Sequence, residues 1–304
     1  MAWTAADIPS QAGRTIVVTG ATSGLGCHTA RELARAGAEV VLAVRDAALG
    51  EEVREQMGAA AVVRLDLADL SSVRTAAHEL RERWPRLDVL VNNAGVMGPP
   101  RRETPDQFEL QMATNHFGPF ALTGLLLDTL RDGIVVTVAS SAHRRGRIDL
   151  DDLQSERSYD RWRVYSQTKL ANLLFAFELG RRAAAAGMRL RSVAAHPGLA
   201  RTNLGRHYFQ PAGPRIAGNR LKELAMGWGM RILAQSDARG ALPSLYAVTV
   251  PDLPSGSYVG PSGPLEWRGH PKVVSASNAA HDEAVARRLW AASEELTGVR
   301  YLDA

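Results

Sequence analysis

The chain has 304 residues, 45% of them apolar and 22% charged, which is enough apolar material for a sizeable buried core. That balance excludes a disordered, collagen-like or disulfide-stapled chain. The formal charge of +4 comes from 36 basic residues, only three of them lysines (Lys169, Lys222, Lys272), and the arginines are interleaved with acids. Even the densest cluster, His143 to Arg147, is followed by Asp149, Asp151 and Asp152, so it reads as a solvated face with no nucleic-acid partner.

Short β-branched runs at 14–19, 39–44, 61–65, 89–91, 134–138 and 190–195 predict strands. Each is followed by a longer stretch with helical spacing. At 25–36, Ala30, Leu33 and Ala34 form an apolar stripe, and Gly37 supplies a helix stop. The strands are unbroken apolar runs, which implies burial on both faces. Strands alternating with helices predict a single α/β domain over 1–304, built on a doubly wound parallel sheet with helices on both faces. Past Pro197 the pattern loosens. Residues 199–236 carry Gly, Pro, Arg and bulky apolar side chains, and predict a substrate lid, with a peripheral helix pair as the alternative. Residues 170–179 are apolar nearly all round, which predicts sheet on one side and a partner subunit on the other, in a homodimer or homotetramer. The alternative is a second helix of the same chain.

The lone Cys27 excludes an intrachain disulfide and points to a reducing compartment. No apolar run approaches the roughly 18 residues of a membrane span, and the N-terminus has neither a basic start nor an apolar stretch. A cytoplasmic protein without a membrane anchor is expected. No His, Cys or Asp grouping has metal-ligand spacing, and no metal is expected.

Three constellations carry chemistry. The first is Thr19-Gly20-Ala21-Thr22-Ser23-Gly24-Leu25-Gly26, between the first strand and the first helix. Gly20 suits a tight turn, Gly24 a close approach to a pyrophosphate, and Gly26 close packing of helix on sheet. The helix N-terminus would face the phosphates. The second is the end of the second strand, where Val44 stands at the usual acidic position and Arg45 follows. An arginine there suits a 2′-phosphate, favouring NADP(H) while leaving NAD(H) possible. Asp46 is the competing ribose ligand, or the N-cap of the next helix.

The third is Tyr165-Ser166-Gln167-Thr168-Lys169. Residues four apart share a helix face, so the ammonium can approach the phenol, stabilise phenolate and lower its pKa. With six tyrosines and three lysines, chance gives only about 0.06 such pairs. Upstream, Val138-Ala139-Ser140-Ser141 ends a buried strand at the edge where such sheets bind ligands.

Together these features resemble the short-chain dehydrogenase/reductase family, over about 14–200 and more weakly to the end. Asp66-Leu67, Asn92-Asn93-Ala94-Gly95, Asn115 and Pro197-Gly198-Leu199-Ala200-Arg201-Thr202 add to the likeness. Ala43-Val44-Arg45-Asp46, Asn115-His116-Phe117-Gly118, Ser141-Ala142-His143 and the run Ser166 to Asn172 are similar to its retinol-dehydrogenase-like branch. Membrane members of that branch carry an apolar N-terminal anchor, a feature missing from this sequence.

The resemblance implies a Rossmann-type fold and a tetrad of Asn115, Ser141, Tyr165 and Lys169. In it Tyr165 acts as general acid/base and Ser141 polarises the substrate oxygen. Lys169 holds the nicotinamide ribose and depresses the tyrosine pKa, and Asn115 supports a water-linked proton path. The cofactor set it implies adds Gly20, Thr22, Ser23, Gly24, Leu25, Gly26, Arg45, Asp66, Leu67, Asn93, Ala94, Gly95, Pro197, Gly198 and Thr202. Asp66 would meet the adenine, Asn93 the adenosine ribose side, and Gly198 and Thr202 the nicotinamide end. Ser140 is the alternative serine, because neighbouring strand residues point to opposite faces. Asn115 could instead bond a buried backbone group. The expected activity is interconversion of a lipophilic alcohol with its ketone or aldehyde. Reduction of a conjugated C=C bond and a non-catalytic NADP-binding role are the alternatives.

Overall fold

The computed structural model describes residues 2–59, 61–199 and 235–302. Strands β1 (Thr15–Thr19), β2 (Glu39–Val44), β3 (Ala61–Arg64), β4 (Val89–Asn92), β5 (Ile134–Val138), β6 (Arg191–Ala195), β7 (Tyr258–Pro261) and β8 (Pro271–Val273) form one sheet. Its order is β3-β2-β1-β4-β5-β6-β7-β8. Neighbours pair in parallel from β3 to β7, while β8 runs antiparallel to β7. The first six strands match the apolar runs. The last two are departures: Tyr258–Pro261 and Pro271–Val273 are short, proline-bearing segments without a long apolar run, and β8, at the edge, makes the sheet mixed instead of wholly parallel.

Helices α1 (Gly24–Arg35), α2 (Ala47–Met57) and α3 (Leu70–Arg83) fill the crossovers of the first half. Helix α4 has a short α-helical start (Leu110–Met112), a π-helical turn (Ala113–Phe117) and an α-helical end (Gly118–Leu125). Then follow α5 (Arg161–Ala185), α6 (Asp237–Thr249) and α7 (Glu283–Thr297). Successive strand side chains point to opposite faces. On β1, Ile16 and Val18 pack with Leu33 of α1 and Leu245 of α6. Val17 packs with Ala76 and Leu80 of α3 and, across the same face, with Phe120 of α4 and Phe175 of α5. Both faces are therefore covered, which is why the strands contain no polar alternation.

A third layer lies outside α5. Leu289 and Ala286 of α7 join Leu170, Leu173 and Leu174 in one apolar cluster. Trp290 stacks on Phe175 at 5.9 Å, and His281 stacks on Phe177 at 5.0 Å. The apolar outer face of 170–179 is thus covered by the chain itself. The argument for a partner subunit at this face is corrected, because the expected exposed surface is absent. Among the described residues, no helix is long and apolar enough to cross a membrane.

Candidate active site

The sheet order places the switch point between β1 and β4, where chain connections depart in opposite directions and a crevice opens at the carboxyl ends. Both sides of it are glycine turns. Gly20 has φ +67°, and a Cβ there would lie 2.9 Å from the Ala94 Cβ. A Cβ on Gly26 would sit 2.5 Å from the Gly20 carbonyl oxygen and against the Asn93 amide. Gly26 therefore closes the loop on itself and on β4's turn, more than it seats the helix on the sheet. Gly24, at φ +56°, opens to space, with Asp237 Oδ2 3.9 Å from a Cβ placed there.

The N-cap of α1, Ser23, makes no side-chain cap hydrogen bond. Asp46, Asp69, Asp160, Ser236 and Asp282 do so for α2, α3, α5, α6 and α7. First-turn amides without a side-chain acceptor, at the positive end of a helix, suit an anionic group. Leu25 is buried and anchors the turn, Thr22 is half-buried, and Ser23 is exposed. The Asn93 Nδ2 donates to the Thr19 carbonyl at 2.8 Å, and the main-chain N–H groups of Asn93 and Ala94 both donate to Thr19 Oγ1 at 3.0 Å. Asn93 thus ties the two turns together, a use that the expectation of a ribose contact did not include.

Arg45 is exposed at the end of β2, two residues past Ala43, whose carbonyl accepts the Gly20 N–H at 2.9 Å. Asp46 caps α2 by accepting from the Leu49 N–H at 3.1 Å, the local role that competed with ribose binding. Asp66 is half-buried at the end of β3, and its Oδ1 accepts the Ala68 N–H at 3.0 Å. Leu67 is buried beneath Gly118 of α4, where a Cβ would run into the Leu67 carbonyl oxygen.

The catalytic candidates converge at the ends of β4 and β5. Tyr165, on α5, is 8% exposed, and Ser140 is the side chain that holds its phenol down against the effect of burial. Ser140, the alternative serine, is the one beside the tyrosine, while Ser141 of the expected tetrad begins the next turn. Ser140 is still extended, with φ −156°, and its Oγ accepts the Ala142 N–H at 3.2 Å, whereas Ser141 begins the 3-10 turn Ser141–Arg145. The Lys169 Nζ is buried, 5.7 Å from the tyrosine ring centroid, and donates to the Val138 carbonyl at 3.1 Å. Asn172 Nδ2 donates to the same carbonyl at 3.1 Å.

Burial pushes the Tyr165 phenol up to about 12, with the Ser140 hydrogen bond opposing, and pulls the Lys169 ammonium down to about 8. Desolvation therefore outweighs any depression of the tyrosine by the lysine in the protein alone, with the ammonium 5.7 Å from the ring centroid.

Asn115 falls in the π-helical turn of α4, where one extra residue per turn rotates its side chain toward β4. Its Oδ1 accepts the Val96 N–H at 2.8 Å, and its Nδ2 donates to the Val96 carbonyl at 2.9 Å and to Thr168 Oγ1 at 3.0 Å. It bonds a buried backbone, the open alternative, and also reaches the helix that carries the tyrosine and lysine. Gly95 lies between them: a Cβ there would be 2.9 Å from Asn115 Oδ1 and 3.6 Å from Lys169 Nζ.

Pro197 and Gly198 border the same cleft. Gly198 has φ +65°, and its N–H donates to His196 Nδ1 at 3.3 Å. The Pro197 carbonyl accepts from Gln235 Nε2 at 2.7 Å. Thr202 and all of the predicted lid except Leu199, Gln235 and Ser236 lie outside the described residues. Two residues that sequence reasoning missed stand beside the cleft. Trp162 meets the Tyr165 ring edge-on at 6.4 Å, three residues earlier on the helix face, a spacing that signals it. Glu266 lies 3.1 Å from His196 Nε2, and nothing in its local sequence announces that partner. Among the described residues no His, Cys, Asp or Glu group is placed to hold a metal ion.

The family described as short chain dehydrogenase matches residues 14–212. Retinol dehydrogenase 14 of Mus musculus is 40% identical over 94% of this chain and 86% of its own length. Retinol dehydrogenase 13 of Homo sapiens is 40% identical over 96% and 87%, and the polyprenol dehydrogenase of Mus musculus is 40% identical over 96% and 86%. Among solved structures, an uncharacterized protein from Mycobacterium paratuberculosis is 46% identical, with a TM-score of 0.83 over 99% of both chains. The 3-ketoacyl-(acyl-carrier-protein) reductase of Brucella melitensis, solved with NADH, shares the fold at 22% identity and a TM-score of 0.62, covering 82% of this chain and 96% of its own. The chain belongs to the short-chain dehydrogenase family, in its retinol-dehydrogenase-like branch, and is an NAD(P)-dependent oxidoreductase of alcohol and carbonyl groups.

Proposed function

We propose that this chain uses NADP(H) to interconvert a lipophilic primary or secondary alcohol and its aldehyde or ketone, with Tyr165 as general acid/base. The observation that carries the reading is the buried Tyr165 phenol beside Ser140, one helical turn from the buried Lys169 ammonium. The names of its relatives, retinol and polyprenol dehydrogenases, support a lipophilic substrate.

The residues present fit a nicotinamide dinucleotide. The Gly20–Gly26 cradle leaves open space at Gly24, and the first amides of α1 lack a side-chain cap. Of the three Lys169 donors, one is bonded among the described residues, to Val138. When bound, the nicotinamide gives or takes hydride; the protein supplies binding, orientation and proton handling. Lys169 would hold the ribose, and the Pro197–Gly198 turn would face the nicotinamide end. Ser140 orients the substrate oxygen through its hydroxyl. Tyr165 donates its phenolic proton to that oxygen in reduction and accepts it in oxidation. Asn115 keeps Val96 and Thr168 in register around Gly95. Arg45, exposed at the end of β2, would meet the 2′-phosphate. The chain acts as one domain in the cytoplasm.

A screen of NADPH oxidation over aliphatic, aromatic, steroid and isoprenoid aldehydes and ketones tests this. Turnover of a long apolar carbonyl is expected, and Tyr165→Phe should lose it while binding NADPH nearly as the wild type does. Retained turnover in that variant overturns the reading.

A further inference from the structure

His143 lies behind the serine turn, fully buried, with both ring nitrogens engaged. Its Nδ1 is 2.7 Å from the Ser140 carbonyl oxygen, and its Nε2 is 3.2 Å from the main-chain nitrogen of Ser277. A main-chain N–H can only donate, so Nε2 is the acceptor. The ring proton is therefore on Nδ1 and is donated to Ser140. Burial pulls the imidazole down to about 4, so it stays neutral and the tautomer persists near neutral pH.

The same outer segment holds the next residue. Arg144 donates to the Ser275 carbonyl at 2.9 Å and pairs with Glu266 at 3.1 Å. Leu265 and Glu266 both adopt left-handed backbone, with φ +54° and +57°. Non-glycine residues rarely hold such angles, and here they bring the Glu266 carboxylate to Arg144 and His196. Tyr258 of β7 fills the space between, its ring 5.5 Å from that of His143 and 5.0 Å from that of His196.

We propose that His143 is a positioning residue for the reaction: locked by Ser277 into one tautomer, it fixes the Ser140 backbone so that the serine hydroxyl stays on Tyr165. This rests on the reading of Ser140 and Tyr165 as the pair that handles the substrate oxygen.

Two variants separate positioning from mere packing. In His143→Asn the amide nitrogen can replace Nδ1 and still donate to Ser140. In His143→Gln the amide oxygen can replace Nε2 and accept from Ser277, but the donor to Ser140 is lost. The glutamine variant should lose about 100-fold in kcat, with NADPH affinity and melting temperature near those of the wild type. The asparagine variant should recover most of that loss. Equal kcat in the two variants, or kcat that follows melting temperature, overturns the proposal. A crystal structure of His143→Gln decides the matter without any substrate: Ser140 should leave the Tyr165 hydroxyl, and a serine still bonded there overturns it. Tyr165→Phe assayed alongside keeps the parent reading separate, since an active phenylalanine variant sinks that reading while the displaced serine still tests this one.

Discussion

The Lys169 ammonium donates to the carbonyl of Val138 at 3.1 Å, at the end of the strand whose next residues deliver Ser140 to the tyrosine. One cation, one strand end and one serine are thereby fixed as a unit. Burial alone draws the ammonium down to about 8, so it carries its charge below that pH and loses it above. Cofactor affinity and carbonyl reduction should both weaken as pH rises through about 8 in the protein without substrate. A fluorescence titration of NADPH against pH checks this, and Lys169→Met should bind weakly with no inflection there.

Arg45 should decide cofactor choice. A charged hydrogen bond to a 2′-phosphate is worth about 1.5–3 kcal/mol, so Arg45→Asp should weaken NADPH roughly 10- to 100-fold and favour NADH. Paired affinity measurements with the two cofactors read it. Wild-type protein using NADH as well as NADPH would remove the basis for the arginine's role.

Gly26→Ala should damage the dinucleotide crevice from inside. The new methyl group meets the Gly20 carbonyl oxygen at 2.5 Å, and main-chain atoms there cannot step aside as a flexible side chain would. A cost of about 1–3 kcal/mol in stability and a marked loss of NADPH binding are expected. Urea unfolding and cofactor titration measure the two effects.

Acid should destabilise the protein through buried histidines. His116 donates from Nε2 to Ser293 Oγ at 2.9 Å and is pulled by burial from 6.5 to about 3; His143 is pulled to about 4. Folded values below the unfolded one mean that the native state resists protonation. The stabilisation is complete above about pH 6.5 and is lost as pH falls toward the folded values, about 3 kcal/mol from each by pH 4. Melting temperature against pH should show the slope, and His116→Leu should flatten part of it.

Trp290→Ala should cost about 3–5 kcal/mol, because the indole packs against Phe120, Phe175 and Tyr301 at the seam between α4, α5 and α7. Urea unfolding gives the value, and a loss below 1 kcal/mol would contradict the three-layer packing.

The first six strands were legible because burial on both faces leaves an unbroken β-branched run in each. Strands β7 and β8 were not, since a strand of three or four residues leaves no periodicity to read. The tyrosine and lysine were legible from helical spacing alone. The serine was not: Ser140 and Ser141 are chemically the same, and only the turn that begins at Ser141 separates them. The subunit face at 170–179 was misread because an all-round apolar helix shows that it is covered without showing by what. Of the segment 143–164, His143 bonds the Ser140 carbonyl and Trp162 meets the Tyr165 ring. Its middle instead lines an outer crevice of about 530 Å³ between Arg147, Asp149 and Arg288.

The hydrogen bond from Ser277 to His143 joins a late residue of the chain to the serine turn. A chain emerging from the ribosome completes the glycine cradle, the tyrosine and the lysine long before residue 277 is made. The outer brace of the serine turn is thus synthesised after every residue expected to meet the cofactor.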